Sequence, residues 1–476
     1  IQRGPGTLTL TAAHSFTGQT IVAAGGLSLT ATASLVSPVA TLAGTTLTNA
    51  GTLAGGLNNA GTALTSGTVA GGITNTGVLT ATAGALDGAI RNAGQVAITG
   101  PVSSDAGFAN TAGGSLFVSG RYALAGALDN AGTVALVDGG RLNAGRVANA
   151  GLLTVAAQAS VVDDLVNTGR LVNAGSYTAD AVHAPGGTLI NTGRFTTVSV
   201  PFANAGTLVT TGTLTGGLTN TGGVQAAGVL AGPVSNAPGA LIALTSTTTG
   251  ITRLTNDGAF DLGGTALTVG SLTGSAASAT LGNGQLTVGT DGSSTDYAGP
   301  IVDGLSPTSL IKVGAGTLTL SGRNSFSGPI RVQGGDLAVT GALPNAALSL
   351  SARSRLIGDG WFGSLSLGAG SVLSPGRAPG SLGQIRVAGN LTFSPGSVYR
   401  VDATPDGGSD RIAVGGTATV AGARVEAVAG AGTWAPRTRY TILSAAGGVQ
   451  GRFDGVSSNF AFLTPFLSYE PGAVTL

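Results

Sequence analysis

An asparagine, a small residue and a glycine recur along this chain at nearly equal steps. Triplets of this form include those beginning at Asn49, Asn59, Asn75, Asn92, Asn130, Asn149, Asn167, Asn191, Asn204, Asn220 and Asn256. Looser versions begin at Asn110 (Asn-Thr-Ala-Gly) and Asn236 (Asn-Ala-Pro-Gly). Between these positions most steps are 16–20 residues, with exceptions of 10, 13 and 24. Between triplets, Leu, Val and Ile alternate with Thr, Ser and Ala over three to five residues, which is strand periodicity. So many Gly, Thr and Asn residues also disfavour helix. Short strands, tight turns and a period near 18 predict an all-β chain wound as a right-handed parallel β-helix, a single elongated domain with a C-terminal cap. One such coil cannot bury its own apolar face, but coils stacked about 4.8 Å apart share a continuous core.

The triplet is read as a corner. Asn and Gly accept left-handed backbone geometry at least cost, so the expectation is left-handed corners. Repeated once per coil, the amides would stack and hydrogen-bond along the axis. The expected structural turn ladder is Asn49, Asn59, Asn75, Asn92, Asn130, Asn149, Asn167, Asn191, Asn204 and Asn220.

Composition narrows the remaining choices. Charged residues are 9% of the chain, against about 25% in ordinary globular proteins. The 83 glycines stand beside 42% apolar residues, which is unlike a disordered chain. A net charge of +1, with basic residues scattered, gives no field for nucleic acid or anionic lipid. With no cysteine there are no disulfides or thiolate metal sites. Thr, Ser, Asn or Gly interrupts every apolar run, so no transmembrane helix is expected. The start, Ile1-Gln2-Arg3-Gly4, carries no signal-peptide pattern.

Two longer segments repeat each other. Gly4–Thr30 aligns without gaps to Gly314–Thr340, with thirteen of 27 positions identical. The second copy resembles the passenger-associated repeats of bacterial autotransporters, the type V secreted proteins, at Gly314, Gly316, Thr317, Leu318, Leu320, Gly322, Asn324, Phe326, Ser327, Gly328, Gly335 and Leu337. The first copy departs at Ala12 and His14. Val372–Val428 and Gly432–Leu476 resemble the last coils and autochaperone region of such passengers, through Ser-Pro-Gly-x-x-Pro-Gly (Ser374–Gly380), Tyr-x-Ile-Leu-x-Ala (Tyr440–Ala445) and Leu-x-Tyr (Leu467–Tyr469). The two resemblances cover about a third of the chain. They suggest four stretches: 1–30, a first repeat coil; 31–312, the Asn-x-Gly β-helix; 313–371, the second repeat and following coils; and 372–476, the last coils and autochaperone region. They imply a protein secreted by, or displayed on, a Gram-negative bacterium, whose partner is its own translocator β-barrel, expected after Leu476.

Nine of the 21 aromatic residues lie in the last hundred positions. Large rings bury more area than Ala or Val. Trp434, Tyr440, Phe453, Phe460, Phe462, Phe466 and Tyr469 are therefore expected to form a stable autochaperone core.

The residues of chemistry are sparse. Many of the 18 aspartates precede Gly, a turn signature. The adjacent pair Asp163-Asp164 points to opposite faces of a strand. His14 aligns with Asn324 as a turn residue, and His183 is placed in a loop that accounts for the step of 24. No nucleophile elbow, phosphate-binding loop or calcium nonapeptide is present. No catalytic residue, metal or cofactor is expected. The reading is a non-enzymatic passenger acting in adhesion, self-association, biofilm formation or virulence, with partners among other copies of itself or host and matrix surfaces. Two alternatives remain: a β-helical polysaccharide-acting enzyme, which requires carboxylates from several coils to converge, and a repetitive Thr-face surface binder, which requires Thr-x-Thr pairs to stack without interruption.

Overall fold

The structure, a computed structural model, describes residues 1–275, 279–435, 437–459 and 463–476. Among the described residues all regular structure is β, and the strands stack as a right-handed parallel solenoid. The chain divides into two compact units, Ile1–Ala231 and Gly232–Leu476.

Each coil of the first unit has three short strands, so three parallel ladders run along it. The first face begins Thr7–Leu10, Gly26–Leu29, Thr46–Asn49, Thr62–Thr65 and Val78–Ala81. The second begins Ala13–His14, Ser34–Leu35, Thr52–Leu53 and Thr68–Val69. The third begins Thr20–Val22, Val39–Thr41, Leu57–Asn59 and Ile73–Asn75. Alternation sends every second side chain inward, and the parallel register stacks it on its counterpart. On the first face Leu27, Leu47, Ala63, Leu79, Val96 and Leu116 form one buried column. Rings also stack from coil to coil, Tyr177 on Phe195 at 5.0 Å, and Phe195 meets Phe202 edge-on at 5.1 Å.

In the second unit one ladder runs from Ala266–Val269 through Gln285–Val288, Ser309–Lys312, Ile330–Val332 and Ala342–Leu350 to Trp361–Leu367. Another runs from Thr295–Tyr297 through Thr317–Leu320, Gly335–Val339, Ser354–Gly358, Val372–Pro375 and Val398–Ala403 to Arg424–Ala429 and Gly455–Ser458. Parallel stacking ends where Ala473–Thr475 pairs antiparallel with Thr441–Ala445 and with Ser468–Glu470. This hairpin covers an edge that would otherwise present unpaired backbone.

The corners differ from the sequence-based expectation. Among the described residues only Asn283 and Arg353 are non-glycine residues with positive φ, so the triplet asparagines are not left-handed. Nor do the triplet glycines Gly61, Gly77, Gly94 and Gly151 have positive φ. Their constraint is stacking distance. A Cβ on Gly77 would stand 2.1 Å from the Gly61 carbonyl oxygen, and one on Gly151 2.1 Å from that of Gly132. The coils touch backbone to backbone here, so glycine serves through its missing side chain.

We expect Gly77→Ala to lower the denaturation midpoint by the equivalent of about 2–4 kcal/mol. Gly223→Ala, where a Cβ meets nothing within 4 Å, should stay within about 0.5 kcal/mol of wild type. Chemical denaturation of the two variants side by side checks the contrast.

Candidate functional site

Along the third face the last inward position of each strand forms one polar column. In the first unit it reads Thr41, Asn59, Asn75, Asn92, Asn110, Asn130, Asn149, Asn167, His183, Asn204 and Asn220. Nδ2 of Asn59 donates to Oδ1 of Asn75 at 2.7 Å, and the pattern repeats for Asn75–Asn92 at 2.8 Å, Asn92–Asn110 at 2.9 Å and Asn110–Asn130 at 2.8 Å. Asn130–Asn149 and Asn149–Asn167 follow, both at 2.7 Å. The same nitrogen also reaches past the corner to a backbone carbonyl of the next coil, as from Asn75 to Gln95 at 3.0 Å and from Asn130 to Leu152 at 3.0 Å. Each amide thereby ties a coil to its neighbour and satisfies a carbonyl stranded by the turn. Thr41 begins the column by donating its hydroxyl to Oδ1 of Asn59 at 2.6 Å. In the second unit Asn236 donates to Asn256 at 2.9 Å, and Asn256 to the Tyr297 hydroxyl at 3.1 Å.

Eight of the ten asparagines named for the turn ladder stand in this column: Asn59, Asn75, Asn92, Asn130, Asn149, Asn167, Asn204 and Asn220. Asn49 and Asn191 do not. They end first-face strands, at a different corner, where Asn49 donates to Thr65 at 3.1 Å and Asn191 to Thr210 at 3.1 Å, with Asn173 donating to Asn191 at 2.8 Å. The irregular steps in the triplet spacing come from mixing two corners. Within the column, bonded neighbours are separated by 16, 17, 18, 19 or 20 positions.

His183 corrects a second expectation. It lies in no loop; it ends the strand Ser176–His183, is buried, and occupies an amide's place in the column. Asn167 has only hydrogens on Nδ2, so Nδ1 of His183 accepts, at 3.0 Å. Nε2 then carries the proton and donates to the Thr207 carbonyl at 3.1 Å. The ring reproduces an asparagine's acceptance and its corner donation, but it has no further hydrogen for the next rung. Oδ1 of Asn204 is buried without a partner, as are Oδ1 of Asn49 and Asn173. The residues beneath Asn49 and Asn173 are Leu29 and Val155, which have nothing to donate. Burial lowers the basicity of His183 and keeps it neutral. The sequence signal that finds it is the register: His183 is 16 positions beyond Asn167.

The two long repeats also hold their turns by a shared device. Lys312, the single lysine, is buried, and its ammonium donates to the carbonyls of Val313 at 2.7 Å, Gly314 at 3.0 Å and Gly334 at 3.2 Å. The aligned residue of the first copy is Gln2, whose Nε2 donates to the carbonyls of Gly4 at 3.2 Å and Gly6 at 2.9 Å. In both copies, the side chain two positions before the repeat's first glycine ties down the Gly-x-Gly turn.

A family model described as Passenger-associated-transport-repeat matches residues 1–29 and 310–339, the same two segments. Two curated proteins, each named Extracellular serine protease and from Serratia marcescens, are similar to the chain. One is 30% identical over 175 residues, covering 35% of this chain and 16% of that protein. The other is 30% identical over 168 residues, covering 34% and 16%. The match thus spans about a sixth of each relative's length. The chain has the repeats and the fold of an autotransporter passenger.

Among the described residues, the C-terminal rings expected to form the autochaperone core are unevenly buried. Tyr440 and Phe453 are buried, and Tyr440 donates its hydroxyl to the Thr404 carbonyl at 2.9 Å. Trp434 lies 6.2 Å from Tyr440 and is half-buried. Tyr469 is also half-buried, accepting from the Phe453 N–H at 2.9 Å under the guanidinium of Arg452. Phe466 is 75% exposed, because it borders a cavity of about 280 Å³ beside Trp434 and Tyr440 instead of packing beneath them. Phe460 and Phe462 lie outside the described residues.

The arrangements required by the two alternatives can be read from the register. Asp163 points inward and accepts from the Tyr177 hydroxyl at 2.8 Å, its carboxyl pushed up to about 7 by burial, while Asp164 is exposed. Among the described residues no three His, Asp or Glu side chains gather as a metal site. Thr7/Thr9 stack on Gly26/Ser28, then Thr46/Thr48, Thr62/Leu64 and Val78/Thr80, so the Thr-x-Thr ladder is broken within a few rungs. Thr317/Thr319 stack on Asp336/Ala338.

Two outcomes follow for the passenger. Asn130→Ala leaves buried groups unpaired above and below, for an expected loss of about 2–4 kcal/mol. His183→Asn supplies the missing donor to Asn204 and should gain about 1 kcal/mol. The folded His183 has its pKa lowered from 6.5, so the unfolded chain binds the proton first and wild type loses stability as pH falls through that window. The His183→Asn variant lacks this contribution, and denaturation at pH 7.5 and 5.5 measures both effects. For the repeat turn, Lys312→Gln should cost less than about 1 kcal/mol, as Gln2 serves in the first copy, whereas Lys312→Met strands three carbonyls and should cost about 2–3 kcal/mol; thermal unfolding distinguishes them.

Proposed function

We propose that this secreted passenger is a structural, adhesive module, displayed on a Gram-negative surface through a translocator β-barrel and acting in self-association or attachment to host or matrix surfaces. The observation carrying this reading is the consumption of its polar interior by the stack. The asparagine amides and both ring nitrogens of His183 are spent on joining coils. What remains outward is a surface of Thr, Ser and small residues with few charges. Many weak hydrogen bonds, each worth about 1 kcal/mol or less, suit adhesion through repetition over a broad face.

A second reading, a protease-like passenger, is favoured by the names of the two Serratia proteins. A Ser-His-Asp mechanism needs an imidazole free to take a proton from a serine. In this chain that requirement falls on His14, half-buried and 6.1 Å from Phe16. His183 is unsuited, with both nitrogens engaged.

The experiment displays the chain, fused to a translocator barrel, on a non-aggregating bacterium. Sedimentation is followed with and without added soluble chain, alongside casein hydrolysis with and without a serine-directed inhibitor. Aggregation or surface attachment that the soluble chain suppresses, without casein hydrolysis, is the expected result. Inhibitor-sensitive hydrolysis lost in His14→Ala, without aggregation or attachment, overturns the proposal in favour of the second reading.

A further inference from the structure

In the second unit a loop rich in glycine and proline lies over two buried carboxyl groups. The loop, residues 374–383, reads Ser-Pro-Gly-Arg-Ala-Pro-Gly-Ser-Leu-Gly. At its start Gly376 and Gly358 exchange two backbone hydrogen bonds of 2.9 Å. Further along, aspartates hold it. The N–H of Gly380 donates to Oδ2 of Asp402 at 2.9 Å, and the N–H of Gly383 to Oδ1 of Asp410 at 2.8 Å. Asp402's own N–H donates to Oδ2 of Asp410 at 2.9 Å, joining the two acids.

Both acids are withdrawn from water, Asp410 completely and Asp402 to 4% exposure. Oδ1 of Asp402 and the neighbouring Oγ of Ser409 are buried without partners. An ionised carboxylate with an unsatisfied oxygen is costly in such a place, and a second charge beside it adds repulsion. The surrounding cations do not remove the problem. Arg377, on the loop, is directed to Asp359, 3.1 Å away. Arg400 favours the ionised form of Asp410 but also faces Glu426 at 4.0 Å. Arg386 and Arg411 line an open cleft with Asp359 and Ser409. Asp406, in the turn between the two acids, accepts from Thr404, and the buried Tyr399 senses the negative charge of Asp410.

We propose that Asp410, bonded to the loop and to the Asp402 backbone, is a proton-operated latch: while Asp410 retains its proton the loop 374–383 is held down, and losing that proton favours its release. Burial pushes the Asp410 carboxyl up to about 7, whereas a hydrated aspartate titrates near 3.8. The closed loop therefore binds a proton that the open loop has given up between these values. The closed state is favoured at the acid end and loses up to about tenfold per pH unit as pH rises through the window. Release breaks the hydrogen bonds from Gly380 to Asp402 and from Gly383 to Asp410, so the latch couples external pH to the order of this segment.

Hydrogen–deuterium exchange of the full chain, read on a peptide covering 374–384 from pH 5 to pH 8 and corrected for intrinsic exchange, tests the latch. Protection of Gly380 and Gly383 should fall about tenfold or more between pH 5 and pH 7, while a peptide covering 424–429 stays protected. Asp410→Asn, which cannot titrate, should give a flat profile whatever its baseline. A flat wild-type profile, an unchanged slope in Asp410→Asn, or a parallel loss at 424–429 overturns the proposal; the wild-type profile suffices if the variant does not fold.

Discussion

A primary amide buried in a solenoid must find partners along the axis, since its own coil offers too few. From Asn59 to Asn130 the asparagines of the third-face column meet this condition by accepting from the rung below, donating to the rung above, and donating again across the corner. The arrangement closes only when the neighbouring coil places an acceptor at the same height. Register, corner position and coil length are thus tied to a single residue type. Slipping one strand by one residue would turn an amide to solvent and leave two polar groups buried without partners, a cost of about 1–3 kcal/mol each. The apolar columns tolerate exchange among Leu, Val and Ala, as the series Leu47, Ala63, Leu79, Val96 shows. Burial therefore supplies the driving force, and the amides supply much of the register.

The glycine that follows each asparagine answers to a different force. Carbonyl oxygens of one coil stand about where a Cβ of the next would lie, as between Gly61 and Gly77. The two requirements are adjacent in sequence because they belong to one turn: the amide reaches into the core, and the backbone beside it presses on the next coil. From sequence alone, a glycine needed for space is indistinguishable from one needed for its φ. Composition pointed to special backbone geometry where the actual constraint is interatomic distance.

The same limit explains what was legible. The β-solenoid follows from the alternation and the period, each repeated many times. The asparagine column was legible as a set but not as a path, because two corners of the triangular coil use the same triplet. Asn49 and Asn191 carry the pattern at the other corner, while Thr41 and His183 hold column positions without it. Only the register separates them. His183 meets a rung's needs through different atoms, and the orphaned oxygen of Asn204 records what an imidazole cannot do. Lys312 and Gln2 show the same principle, with the position keeping its task while an ammonium in one copy and an amide in the other perform it.

Buried aromatic rings are not confined to the C-terminal coils. The largest buried rings are spread along both units: Phe108, Tyr122, Tyr177, Phe195 and Phe202 in the first, and Tyr297, Phe326, Phe362, Phe393 and Tyr399 in the second. At the C-terminal end the ordering comes instead from polar ties between distant coils. Tyr399 donates to the Ile442 carbonyl at 2.7 Å and Tyr440 to that of Thr404 at 2.9 Å, while the antiparallel Ala473–Thr475 strand closes the exposed edge. A ring stabilises any coil in which it is buried, but these bonds exist only when particular coils have met. Templating from this end, if the chain folds in that direction, would thus depend on edge closure and on tyrosine hydroxyls reaching across coils. A half-open aromatic cluster such as Trp434 with the exposed Phe466 would contribute less to it.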